Sequence, residues 1–152
     1  MYRFGTLFDL SMDQWEKSDL ASVKMNGSKD KIKPRILMVV SNDLIRDIFK
    51  NLFERSGYYT AAVDTAKDGF KAINDECFDI VICDFDLYDS TGVEFFESIK
   101  DICPNRNNIL MITYGDEVDI TEEKTLNINR VIEKPFPFEE LLRIVKEHYY
   151  KY

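Results

Sequence analysis

The arrangement of apolar and polar positions changes near residue 34. Before this point apolar side chains are scattered, and a polar, Lys-rich run follows them. Ser11 followed by Gln14 has the pattern of a capping box, which predicts a short helix through Val23. The thin apolar stripe of this helix fits either a docking helix for a partner or a frayed tail. We therefore predict an N-terminal extension and linker over residues 1–33 and one domain over residues 34–150.

Beyond residue 34, short apolar runs alternate with segments of helical periodicity. Alternating strands and helices predict a parallel sheet that is covered on both faces and connected by right-handed crossovers. The helix between residues 116 and 127 should be short, because its apolar positions are few. The predicted strands are 36–40, 58–63, 78–83, 109–113 and 130–133, and the other predicted helices are 43–56, 65–76, 92–102 and 138–148.

Polar residues that can carry chemistry fall at the ends of these strands. In open parallel sheets the functional crevice lies outside the carboxyl ends of the strands, where the strand order reverses. Asp43, Asp84, Thr113 and Lys134 all fall at such ends. The sequence therefore predicts a single site at one edge of the sheet.

Charge and hydropathy narrow the classes of function. The formal net charge of -8 disfavours direct binding to nucleic acid and suits protein partners. No apolar stretch approaches the roughly 20 residues that span a bilayer, and no secretory signal pattern is present. We expect a cytoplasmic protein that does not bind membranes.

Cysteine and histidine offer little chemistry of their own. The three cysteines, Cys77, Cys83 and Cys103, show neither paired framework spacing nor the CxxC spacing of zinc and redox sites. We expect all three to be reduced thiols. His148 is the only histidine, which leaves histidine-based metal sites and Ser-His-Asp catalysis almost without residues.

Three motifs resemble those of response-regulator receiver domains in two-component signalling. Asp84 follows FDIVIC, Thr113 follows ILMI, and Lys134 lies within VIEKPF. The resemblance covers residues 35–149 and is closest to chemotaxis-regulator-like domains. It implies a flavodoxin-like α/β fold, with a doubly wound five-stranded parallel sheet of order 2-1-3-4-5 and helices on both faces.

The resemblance also implies a role for each motif residue. Asp84 would be the phosphoacceptor that attacks the phosphohistidine of a sensor kinase, forming an aspartyl phosphate. Thr113 would donate its hydroxyl to a phosphoryl oxygen, and the Lys134 ammonium would offset phosphoryl charge. The Lys134–Pro135 bond would be a candidate for the cis form. Such a domain is no enzyme beyond phosphorylating itself from a donor and dephosphorylating itself.

The metal site departs from the family pattern. Receiver domains usually place two acidic residues after the first strand to hold Mg²⁺, whereas this chain has Ser41 and Asn42 there. The resemblance implies a metal held by Asp84, Asp43, the backbone carbonyl of Asp86 and Asn42, with more water than usual. Because Mg²⁺ demands near-ideal oxygen geometry, we expect weak Mg²⁺ binding.

Two further positions differ from the family. Tyr114 follows the threonine where relatives carry a small residue, and Val131 stands where a switch aromatic usually lies. Tyr114 would either shield an acyl phosphate from water or pack on the surface.

The implied partners are a sensor histidine kinase or phosphotransfer protein and a downstream effector protein, and a homodimer with a second copy of the chain is a further candidate. One alternative is an atypical pseudo-receiver that binds partners without phosphorylation. A remote alternative is a haloacid-dehalogenase-type phosphatase, because Asp84-Phe85-Asp86 resembles its DxD motif, although Tyr88 stands where Thr or Val is expected. A flavin-binding flavodoxin fits less well, because the first strand does not lead into a Ser/Thr/Gly-rich phosphate loop.

Overall fold

The computed structural model of the protein describes residues 33–149, without the side chains of residues 148 and 149. The chain divides into two units, residues 1–33 and residues 34–152. The predicted helix at residues 11–23 and the side chain of His148 lie outside the described part. The assignment of residues 1–33 to an extension and of residues 34–150 to a receiver domain stays a prediction.

The sheet has the predicted strand order. Five parallel strands are arranged as β2-β1-β3-β4-β5, which confirms the flavodoxin-like topology. Each strand carries a run of apolar or β-branched residues, which suits a sheet buried on both faces. The strands are β1 (Arg35–Val39), β2 (Tyr59–Val63), β3 (Ile80–Asp84), β4 (Asn107–Ile112) and β5 (Ile128–Glu133).

Five helices connect and flank the strands in residues 33–149. Polar side chains cap four of them, and each caps the helix by accepting a backbone N–H of its first turn. The fourth helix has six residues, as expected from its weak helix formers. In this part of the chain, no helix is long and apolar enough to cross a membrane. The helices are α1 (Asp43–Arg55), α2 (Ala66–Asp75), α3 (Gly92–Ile99), α4 (Ile120–Thr125) and α5 (Phe138–Tyr149).

The core consists of two apolar layers, one on each face of the sheet. On one face, side chains of α1 and α5 such as Phe53 and Leu141 pack on Ile36 and Ile82. The other layer joins α2, α3 and the end of α4 to alternate strand residues. Period-two alternation along the strands sends successive side chains into opposite layers. The sheet is thereby a rigid platform for the loops at its two ends.

The expectation that all three cysteines are reduced is wrong. Cys77 and Cys103 form a disulfide whose Cα atoms are 5.8 Å apart. The two cysteines precede β3 and β4, which are neighbours in the sheet, so their loops meet at its amino end. Their separation of 26 residues conceals this proximity, because the helix α3 lies between them. Cys83 is a free, buried thiol, as expected.

Candidate functional site

The predicted site residues lie at the carboxyl ends of neighbouring strands. Asp84 is the last residue of β3, which pairs with both β1 and β4, and only 2% of its surface is exposed. Ser41 follows β1, Thr113 follows β4 and Lys134 follows β5. The strand order therefore brings four sequence-distant segments to one edge of the sheet, as the sequence predicts.

The Asp84 carboxylate has one partner on each oxygen. Its Oδ1 lies 2.6 Å from the Lys134 Nζ, and its Oδ2 accepts the Ser41 backbone N–H at 2.9 Å. A buried carboxylate is costly unless it is paired and hydrogen-bonded: Lys134 pairs with this one and Ser41 hydrogen-bonds its Oδ2, whereas its Oδ1 accepts no hydrogen bond from the described residues. The Lys134 side chain is 37% exposed, so its ammonium lies between Asp84 and solvent.

Backbone contacts hold Lys134 in this position. Its N–H donates to the carbonyl of Ile112 at 2.8 Å, which extends the β4–β5 pairing by one residue. The Lys134–Pro135 peptide bond is cis, as predicted. Lys134 thus sits beside Asp84 because β5 leads directly into it.

Ser41 makes more contacts at the site than its sequence position suggests. Besides its N–H bond to Asp84, its Oγ donates to the Asp86 carbonyl oxygen at 3.1 Å. Its own carbonyl oxygen accepts the Tyr88 hydroxyl at 3.0 Å. Sequence reasoning treated Ser41 and Tyr88 only as departures from family patterns, and missed that they join the loop after β1 to the loop after β3.

The two residues after Ser41 are engaged in helix capping and ion pairing. The Asn42 Oδ1 accepts the Ile45 N–H at 2.9 Å and so caps α1. The Asp43 Oδ1 accepts the Arg46 guanidinium at 2.7 Å, and the same guanidinium donates to the Val40 carbonyl at 2.9 Å. Arg46 was missed by sequence reasoning. An arginine three residues after an acidic residue at a helix start was the available signal.

Thr113 is directed toward the loop that follows β4. Its hydroxyl donates to the Asp116 Oδ2 at 2.9 Å, and its N–H donates to the same oxygen at 2.8 Å. A hydroxyl has one hydrogen to donate, so this bond occupies it. Tyr114 is 94% exposed, which agrees with a surface position.

The loop between β3 and α3 is fixed at both ends. The Asp89 carboxylate accepts the N–H groups of Ala66 and Lys67 at 2.9 and 3.0 Å, at the start of α2. These bonds hold the pKa of the Asp89 carboxyl below its ordinary value. Gly92 lies so close to β3 that a Cβ atom there would be 2.5 Å from the Asp84 carbonyl oxygen. A side chain at Gly92 would therefore displace Asp84.

The thiol next to the phosphoacceptor candidate is unreactive. Cys83 is fully buried, and burial together with the neighbouring Asp84 charge raises the pKa of its thiol well above the ordinary value. A thiol that stays protonated is a poor nucleophile, so Asp84 is the nucleophile candidate at this strand end.

The donor set does not fit the divalent metal site that the family implies. Among residues 33–149, no three Asp, Glu, His or Cys residues are grouped so that they could hold an ion. Asp84, Asp43 and Asn42 already have the partners described above, and the Asp86 carbonyl accepts the Ser41 hydroxyl. These contacts leave the Asp84 Oδ1, which is buried and accepts no hydrogen bond within the described part of the chain, but they do not leave the full shell of free oxygens that a hard cation prefers.

The sheet order and the aspartate–lysine pair define a class of flavodoxin-like signalling domains. Residues 36–146 match the family described as response regulator receiver domain, and the chain belongs to that family. It is therefore a receiver domain of two-component signalling. Receiver domains are generally signalling modules rather than enzymes, they interact with kinases and effectors, and they typically bind Mg²⁺ at an acidic pocket.

Individual relatives support this assignment. The chain is 28% identical over 114 residues to sporulation initiation phosphotransferase F of Bacillus subtilis, covering 75% of this chain and 92% of the relative. It is 25% identical to the DNA-binding transcriptional regulator NtrC of Proteus hauseri, of which it covers only 24%. A CheY-like receiver domain structure from Methanospirillum hungatei superposes with a TM-score of 0.73 at 27% identity, covering 78% of this chain and 95% of that one.

Proposed function

We propose that Asp84 accepts a phosphoryl group from the phosphohistidine of a sensor kinase or phosphotransfer protein, and that the protein signals by contacts that change afterwards. The observation that carries this proposal is the Asp84 carboxylate itself, which is 2% exposed and lies 2.6 Å from the Lys134 Nζ. A relative named as a phosphotransferase, covered over 92% of its length, supports the same role.

The chemistry requires one bond to form and one to break. A carboxylate oxygen of Asp84 bonds to phosphorus, the P–N bond of the phosphohistidine breaks, and the electron pair stays on the imidazole nitrogen. The acyl phosphate carries more negative charge than the carboxylate, and the Lys134 ammonium offsets it. The Ser41 N–H keeps the carboxylate in one orientation.

Thr113 would take part only after a change of partner. Its hydroxyl must leave Asp116 before it can donate to a phosphoryl oxygen. That exchange would release the loop from Thr113 to Asp119, which leads into α4 and includes the exposed Tyr114. We propose that this loop carries the signal to an effector protein.

Metal dependence should be weak. Apart from the Asp84 Oδ1, the predicted ligand oxygens of Asp84, Asp43, Asn42 and the Asp86 carbonyl already accept hydrogen bonds that a cation would have to displace. We therefore propose weak Mg²⁺ binding. A cytoplasmic location and assembly with a second copy stay predictions.

The test is intact mass spectrometry after incubation with Mg²⁺ and phosphoramidate, a small donor with the P–N bond of phosphohistidine. We expect one phosphoryl increment on the parent protein and none on Asp84→Asn. Asp86→Asn is the matched control, because its exposed carboxylate is removed while the bound carbonyl remains. Loss of the increment in Asp86→Asn as well would favour the phosphatase alternative, in which Asp86 is the acid.

A pseudo-receiver is the second candidate, because both Asp84 oxygens already have partners within the chain. Phosphorylation has to compete with these contacts, whereas a binding module would keep them. A parent protein that gains no phosphoryl increment at any Mg²⁺ concentration would favour this alternative over the phosphoacceptor.

A further inference from the structure

Ser41 makes three hydrogen bonds, two as donor and one as acceptor, to residues that lie 43 to 47 positions further along the chain. The Ser41 N–H reaches the Asp84 carboxylate, its Oγ reaches the Asp86 carbonyl and its carbonyl accepts the Tyr88 hydroxyl. We call this set the Ser41 clasp. It connects the loop after β1 to the strand end and loop that carry the phosphoacceptor candidate.

The clasp uses oxygens that a cation between these two loops would need. One is the Asp84 Oδ2 and another is the Asp86 carbonyl oxygen. A divalent cation would bridge such oxygens and hold the loops together electrostatically. In this protein an N–H and an O–H of Ser41 reach the same oxygens as donors, so they replace the bridging role with neutral hydrogen bonds.

Arg46 supports the clasp from the other side of Ser41. Its side chain is 17% exposed, and its guanidinium donates to the Val40 carbonyl and to the Asp43 carboxylate. It thereby holds the backbone carbonyl before Ser41 and pairs with the carboxylate of Asp43, the first residue of α1. A second cation beside a guanidinium would be repelled, which lowers the affinity of the loop for Mg²⁺ further.

We propose that the Ser41 clasp, backed by Arg46, substitutes for the divalent cation of the family, so that the loop after β1 and the phosphoacceptor strand are held in place without Mg²⁺. The inference rests on the proposed function in one respect only, namely that Asp84 is the residue whose position matters. It concerns the unphosphorylated protein and can be tested there.

The first test is thermal unfolding of the full chain in EDTA and at rising Mg²⁺. A ligand at a concentration equal to its Kd shifts the folding equilibrium about twofold, which corresponds to roughly 2 °C or less. We expect the parent Tm to change by no more than about this amount at ~10 mM Mg²⁺. Ser41→Asp restores an acidic ligand, and its Tm should rise clearly with Mg²⁺.

The second test is hydrogen exchange of the Ser41 amide, measured by NMR in EDTA. Tyr88→Phe removes the hydroxyl that binds the Ser41 carbonyl and should accelerate this exchange about fivefold, the effect of one ordinary hydrogen bond. Tyr114→Phe is the matched control, because Tyr114 is 94% exposed on the adjacent loop. It should leave the exchange rate of Ser41 unchanged.

Three results would overturn the inference. They are a parent Tm that rises by many degrees with Mg²⁺, a folded Ser41→Asp variant without any Mg²⁺ response, and a Ser41 amide that exchanges equally fast in the parent and in Tyr88→Phe. None of these measurements uses a phosphodonor. Failure of the clasp is thus distinguishable from failure of Asp84 as the phosphoacceptor.

Discussion

The two ends of the sheet are held together in different ways. At the amino end, a disulfide joins Cys77 to Cys103, and the buried Arg106 donates to several backbone carbonyls. At the carboxyl end, the loops are joined by single hydrogen bonds and by the Asp84–Lys134 ion pair. The disulfide breaks only on reduction and the bonds of the buried Arg106 are lost only on unfolding, whereas the contacts at the carboxyl end can exchange partners one at a time.

This difference agrees with different roles for the two ends of the sheet. A phosphoryl group has to enter among the polar contacts around Asp84, so these contacts must be able to rearrange at low cost. The amino end has no such task and can be fixed. Changes at the amino end should therefore reduce stability without altering phosphoryl acceptance, and changes at the carboxyl end that move Asp84 should affect both.

The largest expected effect is at Arg106. Arg106 is 6% exposed, and its guanidinium donates to the carbonyls of Ile99, Ile102 and Cys103 and to the Asn108 side chain. Arg106→Leu would leave these acceptors buried without donors, at a cost of about 4 kcal/mol in the free energy of unfolding. Urea denaturation measures this loss.

The control for Arg106 is Arg143→Leu. The Arg143 side chain is 48% exposed and pairs with Glu140 and Glu147, so its loss should lower the free energy of unfolding much less than the loss of Arg106. Equal losses in the two arginine variants would contradict the proposed rigidity of the amino end.

The second largest loss of stability is expected on removal of the disulfide. A cross-link between cysteines 26 residues apart stabilises the fold by roughly 3 kcal/mol in the chain-entropy account. The double variant Cys77→Ser/Cys103→Ser should lower the Tm accordingly, and a dithiol reductant should lower the parent Tm to match. Adding the reductant to the double variant is the control and should change nothing. The phosphoryl increment should remain in all cases.

Gly92→Ala tests the carboxyl end. The added Cβ would lie 2.5 Å from the Asp84 carbonyl and 2.6 Å from the Leu110 Cδ1, so β3 or α3 must move. Overpacking of this kind costs about 2 kcal/mol. Unlike the amino-end variants, it should also slow phosphoryl acceptance, because the backbone of Asp84 shifts.

Gly115→Ala is the matched glycine variant. A Cβ atom added at Gly115 would have nothing within 4 Å. Only the positive φ of 97° disfavours alanine there, by about 1 kcal/mol in the free energy of unfolding. A normal rate of phosphoryl acceptance in Gly92→Ala would contradict the idea that the close approach positions Asp84.

The smallest effect is expected at Asp89, which caps α2 from the loop after β3. Asp89→Asn should lower the free energy of unfolding by less than about 1 kcal/mol, since the carboxylate is exposed. The pKa of the Asp89 carboxyl is lowered by these bonds, so its contribution is present above about pH 4 and is lost as the pH falls through the lowered value. The difference in Tm between parent and variant should shrink below that pH.

The fold was predictable because the patterns that determine its strands and helices lie within short stretches of the sequence. Buried strands such as Ile80–Asp84 are short apolar runs, and helices such as Asp43–Arg55 show apolar spacing between capping signals. The positions of Asp84 and Lys134 follow from the rule that parallel strands end at one edge. These residues could therefore be placed before any contact was known.

The remaining features depend on how loops meet in space. The pairing of Cys77 with Cys103 requires the adjacency of β3 and β4, and sequence spacing does not contain it. Whether the Thr113 hydroxyl turns toward Asp84 or Asp116 depends on a side-chain torsion that periodicity does not report. The contact between the Tyr88 hydroxyl and the Ser41 carbonyl also depends on a side-chain torsion and cannot be read from the sequence pattern.

The disulfide has a practical consequence for Cys83. The chain has three cysteines, two of which are joined, so the buried Cys83 is its single free thiol. An aromatic disulfide reagent would reach it only in molecules whose core has opened. The labelling rate of Cys83 in the unmodified protein would then measure how often the core opens beside the phosphoacceptor strand. No engineered probe is needed.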